Sequence, residues 1–107
     1  MNNAALVKDC FSAWEKRDWN SVEHMLADDF RFTSLYDDHL DKREYKLRCW
    51  DVVKEIAPYD IVTIMESGNE VFIRYKGQVN GTQVQNTEHF MLSDGKIKEV
   101  TVFFGHP

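Results

Sequence analysis

The chain has 107 residues, 43% of them hydrophobic and 13% aromatic, and its formal net charge is −5. A chain of this length supports one hydrophobic core, so we expect a single domain over residues 1–107. The negative charge repels phosphate backbones and argues against a nucleic-acid partner. The sequence contains neither a signal-peptide pattern nor an apolar stretch long enough to span a bilayer, so we expect a cytoplasmic protein without a membrane partner.

Two helices are predicted near the N-terminus. Apolar residues recur at helical spacing across residues 6–14, which predicts an amphipathic helix over about residues 3–17. Asn20 and Glu23 fit a capping box, in which each side chain accepts a hydrogen bond from the other residue's amide, and they predict a short second helix. Cys10 lies on the apolar stripe of the first helix, where a thiol usually behaves as a small hydrophobic group.

A strand and a third helix follow. Residues 30–34 alternate apolar and polar side chains, as a half-buried strand does. Asp41 and Glu44 form another predicted capping box, and the helix that they start should run to Ala57, because Pro58 disfavours further helical turns. We expect no disulfide, because both cysteines of the chain lie on apolar helical stripes.

Four antiparallel strands are predicted in the second half of the chain. Alternation and turn signals place them at residues 59–66, 70–79, 82–92 and 96–104. The Asn80-Gly81 turn sets the register of the central hairpin, because a type I′ turn takes two residues with positive φ. In that register Ile73 pairs with Glu88, which puts the Glu88 side chain on the apolar face of the sheet.

The turn before the last strand allows two registers. A two-residue turn at residues 94–95 would put Glu99 on the face of Glu88. A three-residue loop at residues 93–95 would put Val102 there instead. We favour the three-residue loop, because it keeps this face of the sheet apolar.

Glu88 is the main functional candidate. Next to Ile73 and Phe90 its carboxylate loses the hydration that favours the charged form, so the residue is costly to keep there. A structural partner such as Arg48 or Tyr75 could neutralise it, or it could act as an acid or base. The sequence leaves both interpretations open.

The loop at residues 36–39 carries a second group of ionisable side chains. Asp38 could orient His39 for proton transfer at the mouth of a pocket. The simpler interpretation is that Asp37 and Asp38 are solvated and favoured by the dipole of the following helix. A metal site built from Asp37, Asp38 and His39 is disfavoured, because three adjacent residues rarely converge on one ion.

Five short segments, at residues 11–19, 26–30, 86–90, 95–97 and 102–105, occur in a specific order and spacing. In this order they resemble the nuclear transport factor 2-like superfamily, in particular its bacterial SnoaL-like branch. Residues 34–41, 45 and 48–50 resemble a subgroup of that branch. The resemblance implies an α+β fold, a cone-shaped α+β barrel. In it, three helices from the N-terminal half pack on a strongly curved, mixed but mainly antiparallel sheet and enclose one ligand pocket. The outer face of such a sheet often forms a dimer interface.

The resemblance carries over one catalytic residue. Ketosteroid isomerases of the superfamily place their general base at the position of Ser34 and an oxyanion tyrosine at the position of Cys10, so both are missing here. Glu88 matches their protonated oxyanion-site aspartic acid and the acid/base aspartate of SnoaL-type polyketide cyclases. Limonene epoxide hydrolases place an arginine where this chain has Asn86, so epoxide hydrolysis is not supported.

Three classes of function remain open: an enzyme, a binding module and a dimerisation protein with a vestigial cavity. The enzyme would perform isomerase-, dehydratase- or cyclase-type proton transfer on an apolar carbonyl compound, with Glu88 as the acid/base. His39 and Asp38 would assist, in loose analogy to the histidine and aspartate of scytalone dehydratase. The predicted ligand-binding residues are Trp14, Phe32, Ser34, Tyr36, Trp50, Tyr75, Asn86, Phe90, Val102 and Phe104.

The expected partners are a small apolar ligand and a second copy of the chain, with no metal or cofactor. We expect a homodimer because the outer face of the predicted sheet carries more apolar area than a monomer usually exposes. That face is predicted to contain Phe72, His89, Met91, Ile97, Thr101 and Phe103.

Overall fold

The computed structural model describes residues 2–106 and confirms the predicted α+β fold. The helices are α1 (Asn3–Glu15), α2 (Trp19–Met25) and α3 (Lys42–Tyr45), the last continued by one π-helical turn (Lys46–Trp50). The strands are β1 (Leu26–Thr33), β2 (Asp60–Ser67), β3 (Glu70–Val79), β4 (Thr82–Ser93) and β5 (Lys96–Phe104). They form one curled, unclosed sheet in the order β1-β5-β4-β3-β2, in which only β1 and β5 run parallel.

The second helix begins earlier than the Asn20 capping box predicted. Arg17 takes a left-handed conformation, with φ of 55°, and ends α1. Asp18 then caps α2, because its carboxylate accepts hydrogen bonds from the amide and the hydroxyl of Ser21 at 3.2 and 2.6 Å. The predicted cap at Asn20 is therefore wrong, since Asn20 lies inside the helix.

The third helix starts where the sequence predicts and ends earlier. Asp41 and Glu44 form the predicted capping box, with amide-to-carboxylate distances of 2.9 and 3.2 Å. The predicted end at Ala57 is wrong, because the helical conformation stops at Trp50.

Asn80, in the turn of the central hairpin, explains the early end. Its side-chain oxygen accepts hydrogen bonds from the backbone amides of Lys54 and Glu55 at 2.6 and 3.1 Å. The backbone amide of Asn80 donates to the Glu55 carbonyl at 2.9 Å. Ile56 forms a bridge with Val79. The segment after the π-helical turn is thus held along the end of β3, where its amides are not free to continue a helix.

The central hairpin has the predicted register. Asn80 and Gly81 form the turn with φ of 50° and 79°, and Ile73 pairs with Glu88. The strand predicted at residues 30–34 is longer than expected, since β1 begins at Leu26.

The register of β5 combines elements of both predicted alternatives. The turn has two residues, Asp94 and Gly95, with φ of 52° and 75°, so the preferred three-residue loop is wrong. An irregularity follows at once, because Leu92 pairs with Ile97 while Met91 pairs with Glu99.

Lys98 is the extra residue of this bulge. It shifts β5 by one position and brings Val102 opposite Glu88. The inner face of the sheet is therefore apolar as predicted, but through this bulge and not through a three-residue loop. Ile97 precedes the bulge and pairs with Leu92 next to the two-residue turn, so its side chain faces the core, where it is fully buried. Its predicted place on the outer face is therefore wrong.

The core lies between α1 and the inner face of the curled sheet. Val7 and Phe11 of α1 are buried in one cluster with Val71 and Ile73 of β3. Within residues 2–106, no helix is long and apolar enough to cross a membrane.

Candidate functional site

A cavity of about 200 Å³ lies between the helices and the inner face of the sheet. Most of its walls are aromatic or aliphatic, and its polar groups are an amide, a carboxyl, tyrosine hydroxyls and thiols. The lining residues are Cys10, Phe11, Trp14, Leu26, Phe32, Tyr45, Cys49, Val53, Tyr59, Tyr75, Asn86, Glu88, Phe90, Val100, Val102 and Phe104.

Three polar side chains of β3 and β4 form a hydrogen-bonded chain on the cavity wall. The Tyr75 hydroxyl donates to Oε2 of Glu88 at 2.5 Å, and Nδ2 of Asn86 donates to the same hydroxyl at 3.2 Å. The hairpin register explains the arrangement, because Tyr75 pairs with Asn86 and lies diagonally from Glu88 on the same face. The turn at residues 80–81 therefore determines the geometry of this group.

Glu88 has an unusual protonation equilibrium. Burial raises the pKa of its carboxyl to about 7, and the hydrogen bond from Tyr75 acts in the opposite direction. Glu88 keeps some accessible surface, but it lines the cavity, whose apolar walls replace bulk water around the carboxyl. At neutral pH the carboxyl is thus divided between its neutral and charged forms.

The structural partner proposed for Glu88 can now be identified. Arg48 is not that partner, because its Nε lies 2.6 Å from Oδ1 of Asp37 at the protein surface. No ion pair within residues 2–106 includes Glu88. Its hydrogen-bond partner is Tyr75, which carries no charge at neutral pH because burial and the Glu88 charge raise the pKa of the phenol far above its usual range.

Both cysteines line the cavity as free thiols. Burial raises the pKa of Cys10 and of Cys49 to about 12, and the negative charge of Glu88 adds to the effect. A thiol with so high a pKa is a poor nucleophile at neutral pH. The expectation of two unpaired, apolar cysteines therefore agrees with their surroundings.

The π-helical turn brings side chains to the cavity that the sequence analysis did not select. Its wider ring is closed by a hydrogen bond from the Asp51 amide to the Lys46 carbonyl at 2.9 Å. Tyr45 and Cys49 lie four residues apart around this turn, and both line the cavity. The signal that could have identified Tyr45 is its place directly after Glu44 of the capping box, where a hydrophobic residue often packs against the residue before the cap.

Tyr59 is another lining residue that the sequence analysis missed. It stands just before β2, at the first residue of the strand that the sequence predicts over residues 59–66. A Cβ at Gly77 would lie 3.0 Å from its ring, so the glycine leaves the space that the ring occupies. Burial raises the pKa of the Tyr59 hydroxyl well above its usual range, with a further contribution from Glu88, and the phenol therefore keeps its proton.

The second predicted pair, Asp38 and His39, lies outside the cavity. Nδ1 of His39 is 2.5 Å from Oδ1 of Asp38, but the His39 side chain is 62% exposed and the Asp38 side chain is 89% exposed. His39 has a left-handed backbone, with φ of 52°, and its amide donates to the Thr33 hydroxyl. The two residues meet as predicted and do not line the cavity. No group of three histidine, cysteine or acidic side chains within residues 2–106 is placed to hold a metal ion.

Three further predicted ligand-binding residues also lie outside the cavity. Ser34 is engaged with Asp37, the Oγ to Oδ2 distance being 3.3 Å. Tyr36 is 75% exposed and packs its ring on Phe104 with a centroid distance of 5.7 Å. Trp50 is buried behind Trp14, 4.6 Å away between ring centroids. The predicted residues that do line the cavity are Glu88, Trp14, Phe32, Tyr75, Asn86, Phe90, Val102 and Phe104.

The curled sheet, the three helices and the enclosed polar group define a protein of the nuclear transport factor 2-like fold. Residues 7–100 match the SnoaL-like domain, and the chain belongs to this family. No curated protein matches the sequence.

Solved structures share the fold at low sequence identity. An NTF2-like protein of unknown function from Cytophaga hutchinsonii superposes with a TM-score of 0.82 at 20% identity, over 98% of this chain and 91% of that chain. A putative ketosteroid isomerase from Kribbella flavida superposes with a TM-score of 0.86 at 15% identity, over 98% of this chain and 78% of that chain. An LEH-like epoxide hydrolase from M. tuberculosis superposes with a TM-score of 0.77 at 18% identity, over 96% of this chain and 82% of that chain. These similarities show the shared fold.

Proposed function

We propose that the protein binds a small, mostly apolar carbonyl compound in the cavity and that Glu88 transfers a proton to or from it. The observation that carries this proposal is a carboxyl with a pKa of about 7, enclosed by aromatic and aliphatic side chains and without an ion-pair partner among residues 2–106. A general acid or base works best when its pKa lies near the working pH. The reaction is therefore an isomerisation, dehydration or cyclisation that proceeds through proton transfer at carbon.

Ionised Glu88 would remove a proton from the carbon next to the carbonyl, and protonated Glu88 would return it to another carbon. Tyr75 donates to the carboxylate and holds it in place, and Asn86 in turn fixes the Tyr75 hydroxyl. The carbonyl oxygen needs a separate donor while the enolate forms. Tyr59 suits this role, because it lines the same cavity and keeps its proton at neutral pH.

The test uses 3-cyclohexen-1-one, a single-ring ketone that suits the cavity size. Removal of a proton from C2 and its return at C4 gives 2-cyclohexen-1-one, whose conjugated double bond is followed by ultraviolet absorbance. We expect the wild-type rate to rise as pH climbs through about 7, where Glu88 ionises. Glu88→Gln should lower the rate by about 10²-fold or more. Glu70→Gln is the matched control, because Glu70 pairs with His89 outside the cavity.

Hydrogen exchange tests proton transfer without requiring isomerisation, in case 3-cyclohexen-1-one is not a suitable substrate. Cyclohexanone bound in D₂O should exchange its α-hydrogens faster with wild-type protein than with Glu88→Gln. Absence of both isomerisation and exchange, with a ketone shown by NMR to occupy the cavity, would contradict the proposal.

A binding module without chemistry is the second candidate. It is favoured by Ser34 and Cys10, which stand where related isomerases have a base and an oxyanion tyrosine. Ser34 is engaged with Asp37, and Cys10 keeps its proton because burial raises its pKa to about 12. Ligand binding that survives Glu88→Gln, without turnover by the wild type, would support this alternative.

We also propose that the outer face of the sheet forms a homodimer. Across it Met65 pairs with Phe72, Phe72 with His89, and His89 with Thr101, so these side chains form one row. Met65, Phe72 and Phe103 are 64%, 46% and 56% exposed. Such an apolar surface is unusual for a monomer. Sedimentation should give a dimer at micromolar concentration that Phe72→Lys disrupts, and a wild-type monomer would contradict the proposal.

A further inference from the structure

The cavity has an asymmetric set of ionisable groups. Glu88 ionises near neutral pH. The other titratable groups that line the cavity keep their protons, because burial raises the pKa of each; they are Cys10 of α1, Tyr45 of α3, Cys49 of the π-helical turn, Tyr59 before β2 and Tyr75 of β3. In the part of the chain that the structure describes, no lysine, arginine or histidine lines the cavity. The cavity is therefore either neutral or negatively charged.

The walls around this carboxyl are aromatic. Phe11, Tyr59 and Tyr75 pack edge to face on one another with centroid distances of 4.9 to 5.1 Å. Trp14 and Phe90 complete the wall. The face of an aromatic ring carries negative electrostatic potential and attracts organic cations.

We propose that the cavity recognises a small organic cation, either a protonated amine or a quaternary ammonium ion, held by ionised Glu88 and the surrounding aromatic rings. This inference rests on the assignment of the cavity as the binding site in the proposed function. It does not depend on proton transfer by Glu88.

The cavity volume limits the size of the cation. About 200 Å³ exceeds the roughly 150 Å³ of an engineered apolar cavity that holds benzene, and it falls below the roughly 300–1,000 Å³ of pockets for drug-sized ligands. A trimethylammonium group or one substituted ring fits this range. A fused polycyclic skeleton is too large.

Charge compensation makes the cation a better ligand than its neutral analogue. A carboxylate in apolar surroundings is costly without a partner, and the Tyr75 hydrogen bond offsets only part of this cost. A bound cation supplies the missing charge and displaces the carboxyl proton. An anionic ligand would find no positive side chain among the described residues that line the cavity, and ionised Glu88 would repel it.

Choline and 3,3-dimethylbutan-1-ol provide a direct test, because they have nearly the same shape and differ in one positive charge. Each would be titrated into ¹⁵N-labelled protein at pH 6 and pH 8, with the Trp14 indole and Asn86 amide signals as reporters. With a Glu88 pKa of about 7, the ionised fraction rises about tenfold between these pH values, so choline should bind about tenfold more tightly at pH 8. The alcohol should bind no more tightly at pH 8 than at pH 6.

Two variants assign the effect to its source. Glu88→Gln should remove the pH dependence and lower choline affinity at pH 8 by at least tenfold, while the alcohol still binds. Tyr59→Leu should weaken choline binding through loss of an aromatic wall and keep its pH dependence. The circular dichroism spectrum of each variant verifies its fold, and the wild-type comparison remains decisive if a variant does not fold.

The outcomes separate this inference from the proposed function. Choline binding with the expected pH dependence, together with no isomerisation or exchange, supports cation recognition and contradicts proton transfer. Ketone turnover with equal affinity for choline and the alcohol at pH 8 supports the enzyme and overturns cation recognition. Failure of both probes to bind overturns the inference, and ketone turnover then decides the proposed function separately.

Discussion

Two carboxylates of this protein make hydrogen-bonding contacts of the same length in very different surroundings. Glu88 lies 2.5 Å from the Tyr75 hydroxyl inside the cavity, and Asp38 lies 2.5 Å from the His39 imidazole on an exposed loop. Burial raises the pKa of Glu88 to about 7, whereas the Asp38 side chain is 89% exposed and surrounded by solvent. A short contact alone therefore does not identify a site; enclosure by apolar side chains distinguishes Glu88.

The largest expected effect concerns stability. The pKa of Glu88 is higher in the folded protein, about 7, than the value of 4.5 for an ordinary glutamate. Its neutral form therefore contributes stability that is complete below pH 4.5 and is lost as pH rises through about 7. The shift corresponds to at most about 3 kcal/mol. We expect the free energy of unfolding of Glu88→Gln, relative to wild type, to increase by up to this amount from pH 4.5 to pH 8.

Urea denaturation at several pH values measures the difference in the free energy of unfolding between Glu88→Gln and wild type. Because the other carboxylates titrate in both proteins, their contribution cancels in this difference. Glu70→Gln, which alters a carboxylate outside the cavity, should show no comparable trend. A Glu88→Gln protein much less stable than wild type at pH 8 would mean that Glu88 compensates a buried cation, and the functional interpretation would then fail.

A smaller effect is expected at Tyr75. The Tyr75 hydroxyl lowers the pKa of Glu88 by donating to its charged form. Tyr75→Phe should therefore raise that pKa further and move the ionisation-dependent rise of ketone turnover to higher pH. A ¹³C NMR titration of labelled glutamate carboxyls measures the pKa directly. Tyr36→Phe removes a hydroxyl from the exposed loop and is the matched control; an equal shift in both variants would show that the Tyr75 bond does not tune Glu88.

The strands of the second half could be predicted because local rules fix them. The Asn80-Gly81 turn determines the β3–β4 register, and each cross-strand pair then follows from the alternation of side chains. The β5 register depends on a bulge at Lys98, which turn chemistry alone does not reveal. The end of the third helix was missed for a similar reason, since Asn80, distant in sequence, holds the amides of Lys54 and Glu55.

The site could be predicted only in part. Glu88 and Asn86 follow from the strand register, because both lie on the inner face of β4. Tyr59 and Cys49 line the cavity through long-range packing, which periodicity does not encode. For Asp38 and His39 the sequence shows adjacency but not the direction of their side chains relative to the cavity.

The smallest effect is expected at Asp38. An exposed ion pair is screened by solvent and contributes about 0–1 kcal/mol, so Asp38→Asn should change the free energy of unfolding by no more than about 1 kcal/mol. Because neither Asp38 nor His39 lines the cavity, the affinity for choline and the rate of ketone isomerisation should stay at their wild-type values. Urea denaturation and the two assays measure these quantities on the same protein preparation. A tenfold loss of affinity or rate at unchanged stability would show that the loop takes part in function, and the contrast with Glu88 would then have to be abandoned.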